Sequence, residues 1–197
     1  MIWAIMSSLI LGIAGGQLIF SNVVWFENTM DLALYVLLFS VGISVGTNKE
    51  IWEKIKQYNI RILIIPVGTI IGTLLGGIIS SFLLKMPMYE ALAVSSGLGW
   101  YTLSGVLLTD LGGSEIGTIA FLSNVLREII SFMIIPILAK YTNFYTVIAP
   151  AGATSEDTTL PIIIKYTNEE MAVISVINGV LCSSAVPILI NSIYLFK

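Results

Sequence analysis

The chain has no histidine, a single cysteine and few charged side chains. Of its 197 residues, 11% are charged and 56% are hydrophobic. The lack of histidine excludes Ser-His-Asp triads, histidine-ligated zinc and histidine proton relays, and leaves any proton chemistry to carboxylates. Because Cys182 is alone, it forms neither a disulfide within the chain nor a cysteine metal cluster. We interpret it as a packing residue and expect no cofactor.

The scarcity of charge also indicates where the chain resides. A soluble domain carries about 25% charged residues, and the nine basic and twelve acidic residues here are too few for a polar shell. The net charge of −3 provides no basic stripe for a phosphate backbone, so nucleic acid is excluded as a partner. The composition predicts an all-α membrane protein with a single transmembrane domain over residues 1–197.

Apolar runs between the charged positions predict the membrane spans. A bilayer core of about 30 Å requires about 20 apolar residues per helix, and five segments fit: 2–24, 30–46, 62–84, 116–139 and 171–195. The first lacks a basic leader and a cleavage site, so we expect it to be retained. Two further segments, 90–110 and 144–165, are apolar but interrupted by glycine, proline and hydroxyl residues. They are expected either to re-enter the membrane or, in a seven-span alternative, to cross it.

Lysine and arginine predict the orientation, because cytoplasmic loops carry the excess of positive charge. Loop 47–61 is the most basic and also has the pattern of an interfacial amphipathic helix, to which we assign no chemistry. Placing it inside puts the N-terminus in the cytoplasm and the C-terminus outside. Lys140 and Lys165 then also lie inside if both interrupted segments re-enter, whereas only Lys165 does if both cross.

Glycines recur at four-residue spacing in the first three spans. They are Gly12 and Gly16, Gly42 and Gly46, and Gly68, Gly72 and Gly76. Small residues at this spacing allow helices to approach closely. We therefore expect these spans to pack tightly against one another or against another subunit.

Two charged residues lie in the middle of span 116–139, where ions are costly. Arg127 and Glu128 point about 100° apart on a helix and cannot enter one small site together. Glu128 shares a polar face with Asn124 and Ser131 and is predicted to line an ion or substrate path. Arg127 is expected to be structural, pairing with a carboxylate on a neighbouring helix.

The second interrupted segment carries a further acidic pair, Glu156 and Asp157, among hydroxyl residues that include Thr154 and Thr158. Its apolar flanks indicate that this polar stretch enters the protein, where it could bind a cation or an ammonium group. A solvated turn is the alternative. In the first interrupted segment, Trp100 and Tyr101 could cage a cationic group or simply anchor at an interface, and Ser104 adds a hydroxyl.

Four stretches of the sequence resemble the bacterial LysO-type lysine exporter family. They are VGISVG at 41–46 followed by KEI at 49–51, SGLGWYTLSGVL at 96–107, FLSNVLRE at 121–128 and PAGATSEDTTLP at 150–161. The resemblance covers about residues 41–165. It implies an inner-membrane carrier that expels L-lysine and analogues such as thialysine, with the intramembrane acids Glu128 and Asp157 as the functional residues.

The chain departs from that family in its N-terminal region, since typical members carry additional hydrophobic sequence there. We therefore expect either a homodimer or a separate small membrane protein that supplies the missing helices. Export is expected to be coupled to protons or sodium, because no Gly-x-x-x-x-Gly-Lys loop for ATP is present.

Two other functions fit the same features. A cation/proton or sodium antiporter would use the same carboxylates and hydroxyls for a bare ion. An intramembrane aspartyl protease would need Glu128 and Asp157 as a dyad, and the acid of a Gly-x-Gly-Asp motif is missing after Gly99. An enzyme is therefore not expected.

Overall fold

A computed structural model describes residues 60–197, together with the single positions 32, 36, 39, 43 and 53. The chain forms two compact units, Met1–Phe39 and Ser40–Lys197, and every contact reported below belongs to the second. The predicted spans 2–24 and 30–46, the amphipathic helix in loop 47–61 and the glycine pairs before residue 60 lie outside the described residues.

The described residues form helices and no strand. A 3-10 turn at Ile60–Leu63 leads into seven α-helices: α1 Ile64–Leu84, α2 Met88–Ser95, α3 Tyr101–Gly112, α4 Ser114–Tyr141, α5 Phe144–Ile148, α6 Leu160–Tyr166 and α7 Glu169–Leu195. A second 3-10 turn, Gly152–Glu156, lies between α5 and α6. Helices α1, α4 and α7 are long and apolar enough to cross a membrane. They confirm the predicted spans 62–84, 116–139 and 171–195, and the all-α membrane bundle.

Local sequence explains the helix ends. Helix α1 stops at Lys85, whose φ of 55° is left-handed, and Pro87 follows. Helix α4 begins after Gly113, which has a φ of 92°, a conformation that glycine adopts without strain. Helix α7 is capped by Asn168, whose side chain accepts a hydrogen bond from the Met171 N–H at 3.0 Å, as expected for asparagine at this position.

The first interrupted segment leaves the bundle at the end from which it enters. Tyr89, at the start of α2, packs edge-to-face against Tyr194 near the end of α7, with ring centroids 5.8 Å apart. Gly112, the last residue of α3, also faces Tyr194. Both limbs of segment 88–112, the first re-entrant segment, therefore lie at the end of the bundle where α7 ends, which we call the Tyr194 end.

The second interrupted segment behaves in the same way at the opposite end. Val147 of α5 and Ile163 of α6 are fully buried in one apolar cluster with Ile135 of α4 and Met171, which lies in the first turn of α7. Both limbs of segment 144–166, the second re-entrant segment, therefore lie where α7 begins, which we call the Asn143 end. Of the alternatives that the sequence left open, re-entry agrees with these contacts and crossing does not.

The tips of the two re-entrant segments meet inside the bundle. The Ala153 N–H donates a hydrogen bond of 2.9 Å to the Leu98 carbonyl. Leu98, Gly99 and Gly152 all have positive φ, and a Cβ on Gly152 would collide with the Leu98 carbonyl oxygen. Leu98 is completely buried. The irregular backbone is thus enclosed by protein, as its unpaired polar groups require at membrane depth.

Helix α1 presents glycines and large apolar residues outward. Among the described residues, a Cβ on Gly68, Gly72 or Gly76 would meet nothing within 4 Å, and Ile71, Leu75 and Ile79 are more than half exposed. In the described part of the chain no neighbour packs on this ridge. The expectation that it packs against other spans or another subunit stays a prediction.

Candidate functional site

Asn124 of α4 fixes the tip of the first re-entrant segment. Its side-chain oxygen accepts a hydrogen bond of 2.8 Å from the Gly99 N–H. Its side-chain nitrogen donates to the carbonyls of Val94 and Ala120 and to the Ser104 hydroxyl. Asn124 and Ser104 are buried, so both act on the backbone of the tip and neither is open to a substrate.

Asn178 of α7 fixes the tip of the second re-entrant segment. Its side-chain nitrogen donates to the Gly152 carbonyl at 3.1 Å and to the Ser155 hydroxyl at 2.9 Å. Asn124 follows Gly99 by 25 residues and Asn178 follows Gly152 by 26. Each re-entrant segment is therefore followed by a spanning helix whose buried asparagine holds its tip, and the two arrangements enter from opposite ends, as in transporters built from inverted repeats.

Arg127 lies in the middle of the 28-residue helix α4, beside both tips. Its Nε–H donates to the Pro150 carbonyl at 3.2 Å and its Nη1 to the Thr73 hydroxyl at 3.1 Å. Ser131, on the same helix, donates to the same Pro150 carbonyl at 2.9 Å. The expected carboxylate partner on a neighbouring helix is not found among the described residues, where Arg127 contacts a carbonyl and a hydroxyl instead.

Glu128 and Asp157 are both near enough to Tyr101 for their negative charges to act on it. Glu128 is half-buried and Asp157 is exposed at the end of the second 3-10 turn. Two of the predicted site residues, one from the second re-entrant segment and one from the helix between the two segments, are therefore within electrostatic range of Tyr101 in the first. Two carboxylates in one region of the protein can attract an ammonium group or a cation.

The remaining predicted site residues have different surroundings. The Thr154 hydroxyl is buried and donates to the Ala151 carbonyl at 2.9 Å, and Thr158 is exposed beside Asp157. Trp100 is half-buried at the start of α3. The Tyr101 ring packs edge-to-face against Phe121, with centroids 5.5 Å apart. A cation cage of Trp100 and Tyr101 stays a prediction.

Comparison with known proteins identifies the family. A family model described as lysine exporter LysO matches residues 6–194. The chain belongs to the lysine exporter LysO family. Lysine exporter LysO of Escherichia coli is 39% identical over 160 residues, which are 81% of this chain and 53% of that protein. A putative lysine exporter of Haemophilus influenzae is 37% identical over 187 residues, which are 94% of each chain. No solved structure gives a significant match.

The chain thus spans about half the length of one LysO relative and nearly all of the other. The long motifs from which the resemblance was inferred are the parts that form the tips and the middle of α4. In this LysO family member they supply the contacts of Asn124, Arg127 and Glu128, and the Leu98 to Ala153 hydrogen bond.

Sequence reasoning missed several buried polar residues of this LysO protein. Asn178 and Ser175 lie in a span that is apolar on average and contains several other serine and asparagine residues, so no local signal distinguishes them. The sequence favours Asp157 over Glu156 as the functional acid. In the structure the Glu156 carboxylate accepts a hydrogen bond of 2.7 Å from Ser183, and the Glu156 backbone lies so close to Gly179 that a side chain there would collide with it. The glycine at 179 is the signal that could have indicated this close approach. Among the described residues no group of three acids or thiols could hold a metal ion.

Proposed function

We propose that the protein is a secondary transporter that exports L-lysine, and analogues such as thialysine, across the inner membrane. The observation that carries the proposal is the meeting of two re-entrant tips from opposite ends, with Glu128 and Asp157 beside them. Transporters bind substrate where broken segments meet near the midplane. The two relatives, a lysine exporter and a putative lysine exporter, indicate that the substrate is lysine.

The chemistry of the substrate fits the charges at this place. Lysine carries two ammonium groups and one carboxylate, and Glu128 and Asp157 would receive an ammonium group. With no histidine in the chain, a carboxylate would also carry the coupling proton, if the coupling ion is a proton rather than sodium. Asp157 acts with Glu128 in either role.

The distribution of lysines supports a cytoplasmic Asn143 end. Lys140 at the end of α4 and Lys165 at the end of α6 lie there, while Lys85 follows α1 at the Tyr194 end. Basic loop 47–61 directly precedes α1 in the sequence. The positive-inside tendency then places the C-terminus outside and the N-terminus in the cytoplasm. A homodimer or a small membrane protein would cover the exposed glycine ridge of α1.

Efflux of labelled lysine from proteoliposomes containing this chain alone tests the function. We expect efflux that rises when either a proton or a sodium gradient is imposed. Glu128→Gln removes one negative charge from the centre of α4 and should nearly abolish efflux, while Glu115→Gln, at an exposed position in the first turn of the same helix, should retain it.

The outcomes separate the alternatives. Movement of sodium or protons without lysine would indicate a cation antiporter. Wild-type efflux by Glu128→Gln would exclude that carboxylate from the mechanism. Lysine efflux that appears only after a second membrane protein is added would assign the missing helices to a partner.

A further inference from the structure

Arg127 is a cation at the centre of the bundle without an anionic partner in the described part of the chain. Two hydrogen bonds, to the Pro150 carbonyl and the Thr73 hydroxyl, hold its guanidinium. A guanidinium has five N–H donors, so donors remain for a ligand. An arginine at this depth is costly unless a negative charge answers it.

A groove leads from the Asn143 end to the two residues that hold Arg127. Thr73 and Pro150 line a cavity of about 310 Å³ between α1 and the second re-entrant segment. It shares Gly68, Thr69 and Ala149 with an adjoining cavity of about 640 Å³ that reaches Asn143 and Tyr145. Because glycines form part of the α1 wall, the groove is wide where a side chain would otherwise narrow it.

The groove also contains an unused hydrogen-bonding group. The Thr69 side chain is 6% exposed, and its hydroxyl has no partner. It lines both cavities, one helical turn from Thr73. A buried hydroxyl without a partner is unusual in a folded protein and indicates that something polar occupies the space beside it.

We propose that Arg127 binds the α-carboxylate of the exported amino acid, which arrives through this groove from the Asn143 end. The inference rests on the proposed function and refines it by giving the substrate an orientation. Arginine binds carboxylates with two parallel hydrogen bonds and repels ammonium groups. Arg127 would therefore hold the carboxylate on one face of α4, while the adjacent Glu128 attracts an ammonium group from the next face.

Competition with lysine analogues in proteoliposomes tests the proposal. Lysine amide lacks the carboxylate, and 1,5-diaminopentane lacks the whole carboxyl group. The assay measures uptake of labelled lysine by counterflow into proteoliposomes with wild-type protein. We expect each analogue to need a concentration about tenfold or more higher than unlabelled lysine for the same inhibition, because an analogue without the carboxylate leaves Arg127 unpaired.

Variants extend the test to the residue itself. Arg127→Gln should weaken inhibition by lysine. The ratio of the inhibitory concentration of lysine amide to that of lysine should fall towards one. Lys140→Gln removes an exposed positive charge from the same helix and should keep the wild-type preference. Thr73→Val removes the hydroxyl that holds the guanidinium and should reduce the preference in part. It serves as the second variant if Arg127→Gln does not fold in detergent melting assays.

Equal inhibition by lysine and its amide in wild-type protein would overturn the carboxylate assignment and leave lysine transport intact. The same holds if Arg127→Gln and Thr73→Val both keep the wild-type preference. A wild-type protein that moves no lysine, either alone or together with a second membrane protein, would instead overturn the proposed function, and this inference with it.

Discussion

Two carboxylates in consecutive positions have different surroundings in the second re-entrant segment. Glu156 is half-buried against Gly179 and accepts a hydrogen bond from Ser183, whereas Asp157 is exposed, accepts a hydrogen bond from the adjacent Thr158 N–H and lies within electrostatic range of Tyr101. Each carboxylate has a protein donor, and its exposure leaves Asp157 the more accessible of the two to a substrate. Asp157 is therefore the better candidate for binding, and Glu156 for holding the tip on α7.

Isosteric substitutions distinguish these roles. Asp157→Asn removes the charge near Tyr101 and should lower lysine efflux by about tenfold or more. Glu156→Gln keeps an oxygen that accepts the Ser183 hydrogen bond, so efflux should stay within about threefold of wild type. Initial efflux rates, normalised to reconstituted protein, measure both. If Asp157→Asn transports normally while Glu156→Gln is inactive, the functional acid is Glu156.

Asn178 is expected to stabilise the folded protein, because its side chain is 1% exposed and donates hydrogen bonds to two groups of the second tip. Asn178→Ala leaves the Gly152 carbonyl with one partner fewer and should lower the free energy of unfolding by about 1–3 kcal/mol. Thermal melting in detergent measures this. Asn191→Ala, on the exposed side of the same helix, is the control and should melt within a few degrees of wild type. Equal melting of the two variants would contradict the role of Asn178.

At the scale of elements, the two re-entrant segments depend on each other, because the tip of one is the binding partner of the other. Gly152 lies where its positive φ and the Leu98 carbonyl leave no room for a side chain. The Ala153 N–H then completes the contact by donating to that same carbonyl. A change at one tip is therefore transmitted to the other across the middle of the bundle.

Gly152→Ala tests this dependence. The added methyl group must displace the Leu98 carbonyl, so we expect a loss of about 2 kcal/mol or more in stability together with reduced efflux. Gly76→Ala is the matched control, because a Cβ there meets nothing within 4 Å among the described residues and alanine favours a helix. Melting temperature and efflux rate are both measured. An unchanged Gly152→Ala variant would show that the tips can separate without loss.

At the scale of the whole molecule, the single native cysteine makes the orientation measurable. Cys182 is fully buried and should not react with a membrane-impermeant maleimide. Lys140→Cys and Lys165→Cys should react only when the reagent reaches the cytoplasmic face, because both lie at the Asn143 end. Lys85→Cys should react from the outside. Labelling in intact cells and in inverted vesicles checks this, and labelling of Lys140→Cys from the outside would contradict the proposed orientation.

The sequence by itself determined the properties that depend on composition and on short stretches of chain. Scarce charge and long apolar runs required a helical membrane protein. The charged residues between these runs located the spans that the structure shows as α1, α4 and α7. Clusters of glycine, proline and hydroxyl residues marked both interrupted segments, because such residues in close succession disfavour a continuous helix. Glu128 and Arg127 stood out because ions are rare at that depth.

Only the tertiary structure decided which groups meet. That both segments re-enter, rather than cross, follows from contacts such as Tyr89 with Tyr194, which are far apart in the chain. The same holds for Asn178, which nothing distinguishes within its apolar helix until Gly152 and Ser155 lie against it. Among the described residues, Arg127 contacts Pro150 and Thr73 rather than an acid, because a helical position fixes the direction of a side chain and the packing of other segments fixes its partners.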